Sequence, residues 1–448
     1  MRRAIAGALV ALLLFALPPR ARAAGHDAEI DAAIHTILSG DDEDAARNAF
    51  ANLRDWRDPG AVAPLIQLLF WTDEPAPIVA ALEALTGAKN GEKFFDWMVW
   101  QQDHPEIRPY AGYSALIIEL LAGLDINFNR FLRPEVPSEI RIEEIVWGGV
   151  KVNGIPPLDN PRMIAAEEAG YLNPDDRVFG VELNGDARAY PLRIMNWHEM
   201  ANDVVGGVPV SLAYCTLCGA GVLFDGRVEG APAAVTFASS GLLYRSNKLM
   251  FDRISESLWN QFTGRPVVGQ LVGMNVQLKP LPLVIETWAR WRAAHPTTKV
   301  LSLETGFTRD YGPGVAYKAY FASPNLAFPA GYTNHTRAPK SRVFGVRVPG
   351  GVKAWPMERF AGGAVIHDSV GLLDVVLIGD AASETVRAYE AGGHRFTAEG
   401  GALRADDGVW EIGEEGLRGP GGRSLARLAG NVAYWFAWNG YFGDTLAL

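Results

Sequence analysis

The sequence predicts a mostly β protein of the α+β class, in which a duplicated β-rich module follows an all-α domain. Three observations carry this. Apolar residues recur at helical spacing from residue 26 to about 125; from Val136 onward the chain breaks into short β-like runs cut by Gly, Asn, Asp and Pro; and a stretch around residue 180 registers, without a gap, on one 165 residues later.

Met1-Arg2-Arg3, an uncharged run from Ala4 to Leu17 and Ala21-Arg22-Ala23 form the charged, apolar and small-x-small segments of a secretory signal peptide. The apolar run has 14 residues, short of the ~20 needed to span a bilayer. Cleavage after residue 23 is therefore expected, leaving a soluble chain in the periplasm or outside the cell with no membrane span. It removes Arg2, Arg3, Arg20 and Arg22 and no acid, taking the formal charge from −10 to −14. A surface of that sign repels phosphate backbones, so nucleic acid is excluded as a partner.

Residues 24–130 read as a helical domain of the HEAT-like type. Asp58-Pro59-Gly60 is a turn that opens an apolar helix through Leu69, and Ile78 to Leu85 continues the pattern. Such a domain supports or binds something, which makes it the expected docking point for a protein partner. The run Phe94 to Trp100 is apolar on nearly every face and suits packing against the next domain.

Val178–Leu183, Asn184-Gly185 and Asp186–Pro191 predict a hairpin, because Asn-Gly accepts the left-handed conformations of a two-residue turn. Val343–Val348, Pro349-Gly350 and Gly351–Pro356 predict another. The two lie in register, and Asp203-Val204-Val205-Gly206 falls on Asp368-Ser369-Val370-Gly371. Modules are accordingly expected at 140–306 and 307–448.

The chain has two cysteines, Cys215 and Cys218, at the end of an apolar run and followed by Gly219-Ala220-Gly221. A tight loop of this kind turns both sulfurs inward, and His198 lies 17 residues upstream. Three chemistries fit: a metal held by both thiolates and His198, a dithiol/disulfide redox pair, and an unreactive staple. Thiolate, imidazole and a thioether from Met250 or Met200 suit a copper ion; two thiolates with imidazole and a carboxylate suit a zinc ion. The second module has Asp380 at the place of Cys215 and His367 at that of Asn202, so it keeps the scaffold without the thiols. Asn202, Asp203, Asn247, Asp252, Arg253 and His367 are the candidate polar residues for a pocket wall or for catalysis.

At these residues the sequence resembles an exported bacterial and archaeal family known by its domain of unknown function 3179 (DUF3179). The resemblance rests on His198-Glu199, Asn202-Asp203, Gly206-Gly207 with Pro209-Val210, Tyr214-Cys215 and Cys218-Gly219. It continues through Ser240-Gly241, Met250, Asp252-Arg253, Ser257-Leu258-Trp259, Gln261 and Thr263-Gly264. It covers most of 140–448 and implies membership without implying a reaction. Thr216 departs from the proline more usual there.

The leading expectation is an exported metal-binding protein, a copper-dependent redox or ligand-activating enzyme holding copper or zinc through His198, Cys215 and Cys218, with Met250 as a further candidate ligand and a small molecule as its other partner. The alternatives are a noncatalytic scaffold or binding protein with a structural Cys pair or zinc, and a thiol–disulfide oxidoreductase. No nucleophile elbow and no dinucleotide or phosphate loop is present.

Overall fold

The computed structural model describes residues 25–228, 233–400 and 402–447; the export signal read in residues 1–23 lies outside them. Among the described residues no helix is long and apolar enough to cross a membrane.

Six α-helices, Asp27–Ser39, Glu43–Trp56, Val62–Trp71, Ala76–Thr86, Phe94–Gln102 and Tyr113–Ala122, form the N-terminal region. Local chemistry sets their ends. Asp42 caps the second helix by accepting from the N–H groups of Asp44 and Ala45. Asp58 accepts from Gly60 N at the turn before the third, and Gly40 and Gly87 close the first and fourth in the left-handed region. The apolar faces do not close on themselves. Trp97, Met98, Leu116, Phe128 and Phe131 share one core with Ile145, Leu242, Leu249, Phe251 and Val268 of the first β-sheet. Gln101 fixes the junction, its amide donating to Glu143 O at 2.8 Å.

That antiparallel sheet runs Ile145–Trp147, Phe237–Tyr244, Asn247–Asp252, Leu258–Asn260, Arg265–Val268. Its central turn, Arg245-Ser246, places two non-glycine residues at φ 49° and 61°. A second sheet is built on the meander Met200–Val205, Val208–Cys215, Ala220–Asp225, and a third on the hairpin Arg177–Leu183 and Asp186–Pro191. In that hairpin Asn184 and Gly185 both take positive φ, as the Asn-Gly turn requires.

The C-terminal half presents comparable pieces. The hairpin Arg342–Val348 and Gly351–Pro356 pairs with Gly430–Tyr434, and the meander Ala364–Val370, Leu373–Asp380, Thr385–Glu390 continues into an eight-stranded sheet. In each half a strand pairs beside the hairpin and runs straight into a helix whose tryptophan lies on a hairpin glycine: Trp291 on Gly180 and Trp438 on Gly345. In each half, too, the two hairpin residues that bracket an alanine hold an aspartate of the next strand. Asp203 accepts from Arg188 Nη1 at 2.8 Å and Tyr190 Oη at 2.7 Å; Asp368 accepts from Lys353 Nζ at 2.6 Å and Trp355 Nε1 at 2.9 Å.

A Cβ at Gly180 would stand 2.4 Å from the Trp291 ring and one at Gly345 2.1 Å from Trp438. Gly180→Ala and Gly345→Ala should each lower stability by about 1–3 kcal/mol in urea unfolding, the cost of overpacking. Gly170→Ala, with open space around its Cβ, is the control expected to leave the midpoint in place.

Candidate functional site

The strand Val208–Cys215 is buried from Val210 to its end, and it reverses into Ala220–Asp225 through Thr216-Leu217-Cys218-Gly219. Cys218 N donates to Cys215 O and Gly219 N to Thr216 O, both at 3.2 Å, which folds the four residues back on themselves. Gly219 has φ 57°, and a Cβ there would meet the Tyr434 ring at 3.1 Å. The turn holds Cys215 and Cys218 with their sulfurs 2.6 Å apart, at 2% and 0% exposure.

Cys218 is the better-furnished sulfur. Its Sγ faces Ser246 O at 3.4 Å and accepts from Asn247 Nδ2 at 3.1 Å. The second N–H of that amide reaches Gln261 Oε1 at 3.2 Å, and Gln261 Nε2 donates to Ala213 O and Ala220 O, each at 2.8 Å. Gln261 thus bridges the two strands flanking the turn and aims Asn247 at the sulfur. Burial, then the Cys215 contact, pushes the Cys218 thiol well above its ordinary range; Asn247 opposes that by favouring the thiolate. Phe262, Tyr434, Trp435 and Trp438 cover the pair, while Tyr434 N donates to Cys218 O at 2.8 Å and Tyr320 Oη to Leu217 O at 2.6 Å.

Beside the sulfurs lies an ion pair to which sequence reading gave no role. Glu199 accepts from Thr216 Oγ1 at 2.7 Å and Tyr317 Oη at 3.0 Å, and pairs with Lys248 Nζ at 2.8 Å. Glu199 and Lys248 are almost wholly buried. Glu199 and Tyr317 both sit at positive φ, 56° and 57°. Left-handed backbone at bulky residues costs free energy and persists where surrounding contacts over-determine it.

The remaining candidates are dispersed. His198 Nδ1 faces Pro156 O at 2.9 Å and its Nε2 lies 2.6 Å from Tyr311 Oη. The carbonyl takes the Nδ1 proton, so Nε2 accepts from the phenol and both ring nitrogens are committed. Among the described residues no group of three or more His, Cys, Asp or Glu is placed to hold a metal ion; the structure brings Asn247 to the sulfurs and does not bring His198. Asp203 is held by Arg188 and Tyr190. Asn202 bridges Asp159, Ser211 and Phe237. Asp252 is occupied by Ile254 N, Ser255 and Trp259 Nε1, and Arg253 pairs with Asp159 at 2.8 Å. Met200 and Met250 pack in a core with Phe237 and Trp259. His367 accepts from Phe396 N and lines a different cavity with Asp374 and His394. In the C-terminal meander Asp380 ends its strand as Cys215 does, and Ser383, three residues on, donates to it at 3.0 Å.

Tyr214 and Gly219 open the turn onto a cleft of 360 Å³. A neighbouring hollow of 430 Å³ is walled by Phe307, Arg309 and Tyr311, and the two share Arg193 and Gly312. One groove therefore leads from the sulfur turn to the phenol that binds His198.

The model of the protein family of unknown function DUF3179 matches residues 152–445, well over half of the chain. The sulfur turn, the Asn247–Gln261 clamp and the groove all lie within that match, and the chain belongs to this family. Neither the curated proteins nor the solved structures contain a match.

Two predictions follow from the electrostatics. Lys248→Met leaves the Glu199 carboxylate buried without its cation, which should cost about 3–5 kcal/mol in denaturant unfolding; Glu199→Gln combined with it should recover much of the loss. Burial also lowers the proton affinity of His198 and His295 below the ordinary 6.5. Between their lowered values and 6.5 the unfolded chain binds more protons than the native one, so this contribution is complete above 6.5 and is lost as pH falls through that window. Between about pH 7.5 and about pH 5.5 the thermal midpoint of the parent should fall relative to that of a His198→Gln/His295→Gln chain, His35, whose proton affinity is raised, acting the other way in both. Midpoints that move in parallel over that range would refute it.

Proposed function

We propose that this chain is an exported thiol–disulfide protein in which Cys215 and Cys218 form a buried two-electron centre. The observation that carries the reading is the 2.6 Å separation of two sulfurs whose nearest polar partners are an amide N–H and a carbonyl. Oxidation joins the sulfurs and releases two protons and two electrons, which cleave a small-molecule disulfide to two thiols; reduction is the reverse. A mere staple is a poor account, since backbone bonds and Tyr434 already close this turn and a loop so short gains little from a cross-link.

A second reading has one observation in its favour. Asn247 Nδ2 points at Cys218 Sγ, and an N–H aimed at sulfur stabilises the thiolate that a copper(I) ion needs. Two thiolates suffice for that ion. A closed zinc site uses four ligands, and with the imidazole of His198 committed to Pro156 and Tyr311 the donor set falls short of it.

Residues 1–23 act in this reading as the export signal, and the compartment beyond it allows a disulfide. We also read 140–306 and 307–448 as two copies of one module, a reading supported by the paired Trp–Gly contacts and by the twin clamps on Asp203 and Asp368. The helical region is a HEAT-like support for the sheet that carries Asn247.

The test equilibrates the native chain in glutathione buffers of graded potential, alkylates free thiols and weighs the product. Both thiols should disappear together in one reversible step between about −300 and −120 mV. Asn247→Leu should slow alkylation of the reduced pair about tenfold, the worth of a hydrogen bond to a charged sulfur. A pair that stays bonded in the folded chain under excess dithiothreitol would mean a staple. One equivalent of copper on protein purified without chelator, lost in Cys215→Ser, would establish the metal reading instead.

A further inference from the structure

Part of the cover on the sulfur turn has no backbone tie to the rest of the protein. Most of that cover is fixed: the strand Gly430–Tyr434 pairs with Arg342–Val348 over its whole length, Tyr434 N holds Cys218 O at 2.8 Å, and Trp435 N and Phe436 N are bonded to Ser341 O and Pro339 O. Residues 312–323, which bring Tyr317 and Tyr320 to the turn, are built differently. Among the described residues their backbone-to-backbone hydrogen bonds all stay inside the segment, as in Val315 N to Gly312 O, Phe321 N to Tyr317 O and Ser323 N to Ala319 O. The helix Lys318–Ala322 within it has five residues, and none of them is buried.

Side chains hold this segment down. Tyr320 Oη donates to Leu217 O at 2.6 Å, between the two cysteines, and its ring packs on the core that contains both sulfurs. Tyr317 Oη donates to Glu199 at 3.0 Å. Lys340, from outside the segment, gives its Nζ to Tyr320 O and to Ser323 O, the latter at 2.8 Å, and lies 3.7 Å from the centre of the Tyr320 ring. Two features favour release. Tyr317 sits at φ 57° and ψ 18°, a conformation that costs a bulky residue free energy and relaxes once the segment is let go. Gly314, at φ 67° with nothing within 4 Å of a Cβ there, supplies a pivot. Gly312, Val315, Ala316 and Phe321 wall the same 360 Å³ cleft as Tyr214 and Gly219, so the segment moves against open space instead of a close-packed interior.

We propose that residues 312–323 are a lid on the sulfur centre, which swings about residues 312–314 when Tyr320 leaves Leu217 O and so admits a small thiol or disulfide to Cys215 and Cys218. The strand-borne covers cannot open without breaking ladder bonds, whereas the lid opens by giving up side-chain contacts. Tyr320 and Lys340 are positioning residues here, since they act through the lid and touch no reactant. The inference rests on the thiol–disulfide reading for its use, while the opening itself is measurable on reduced thiols alone.

Alkylation of the reduced, folded full chain by iodoacetamide in the presence of chelator, followed by mass, reads the opening. Where the native pair resists reductant, chain reduced in denaturant and refolded supplies the thiols. Tyr320→Phe keeps the ring and loses the bond to Leu217 O; Lys340→Met loses both carbonyl contacts. Each should speed alkylation about three- to tenfold, the gain in open population when one hydrogen bond is removed. Ile30→Val, which trims a fully buried side chain in the first helix, weakens the fold by a comparable amount far from the lid and should alkylate at the parent rate. The parent rate should also stay level in low urea, because local opening exposes little surface. Unchanged rates in both lid variants, Ile30→Val as fast as either, or a parent rate that climbs with urea as steeply as global unfolding would each overturn the lid. The glutathione titration reads equilibrium thiol content instead of rate, so a failed sulfur reading and a failed lid give different results.

Discussion

The Gln261 amide is the interaction on which the rest of the site depends. It donates to Ala213 O and Ala220 O, one on each strand leaving the sulfur turn, and receives Asn247 on its oxygen. Those two carbonyls face the interior, where an unsatisfied acceptor is costly. One side chain therefore satisfies two strands and sets the side-chain amide that reaches Cys218. Gln261 itself follows the strand Leu258–Asn260, whose sheet is packed from behind by the N-terminal helices. The helical region bears on the sulfurs through that sheet.

What was legible in the sequence was local. Asn184-Gly185 announces its turn because the required dihedrals are cheap only for such residues, and Asp58 announces a helix start for an equally local reason. The Cys turn was readable from an apolar strand running into glycine. The partners of His198 were not: Tyr311 is 113 residues away and reaches the ring through the tertiary fold, while the 17-residue spacing to Cys215 made a shared site look natural. The pairing of Glu199 with Lys248 was missed for a related reason. Lys248 opens onto Leu249-Met250-Phe251 and Glu199 lies between His198 and Met200, 49 residues apart in sequence. A charge set against an apolar run is a signal that a buried partner exists, though it does not say which.

The turn after the strand Leu373–Asp380 has a carboxylate and a hydroxyl where the sulfur turn has two thiols. Asp380 and Ser383 meet at 3.0 Å, and Arg290 Nη1 contacts both, at 3.1 and 3.2 Å. A carboxylate and hydroxyl at such a turn need a cation and hydrogen bonds to offset their desolvation, and a helix from the first half supplies the guanidinium. Two thiols need neither. They tolerate the apolar cover of Phe262, Tyr434 and Trp438 because a neutral thiol behaves as a small hydrophobe. The difference between the two turns is thus one of polarity, and each has the surroundings its chemistry requires.

Burial sets the character of the sulfur centre. A thiol pushed above its ordinary range reacts slowly, since the thiolate is the nucleophile, so a pair sealed under aromatic rings is protected from casual oxidation. Reaction then requires either a shift of the cover at Gly219, where the cleft meets the turn, or a ligand that changes the local charge. Glu199 adds to the same effect: its carboxylate lies close enough to raise the Cys218 thiol further, and pairing with Lys248 at 2.8 Å offsets part of that charge.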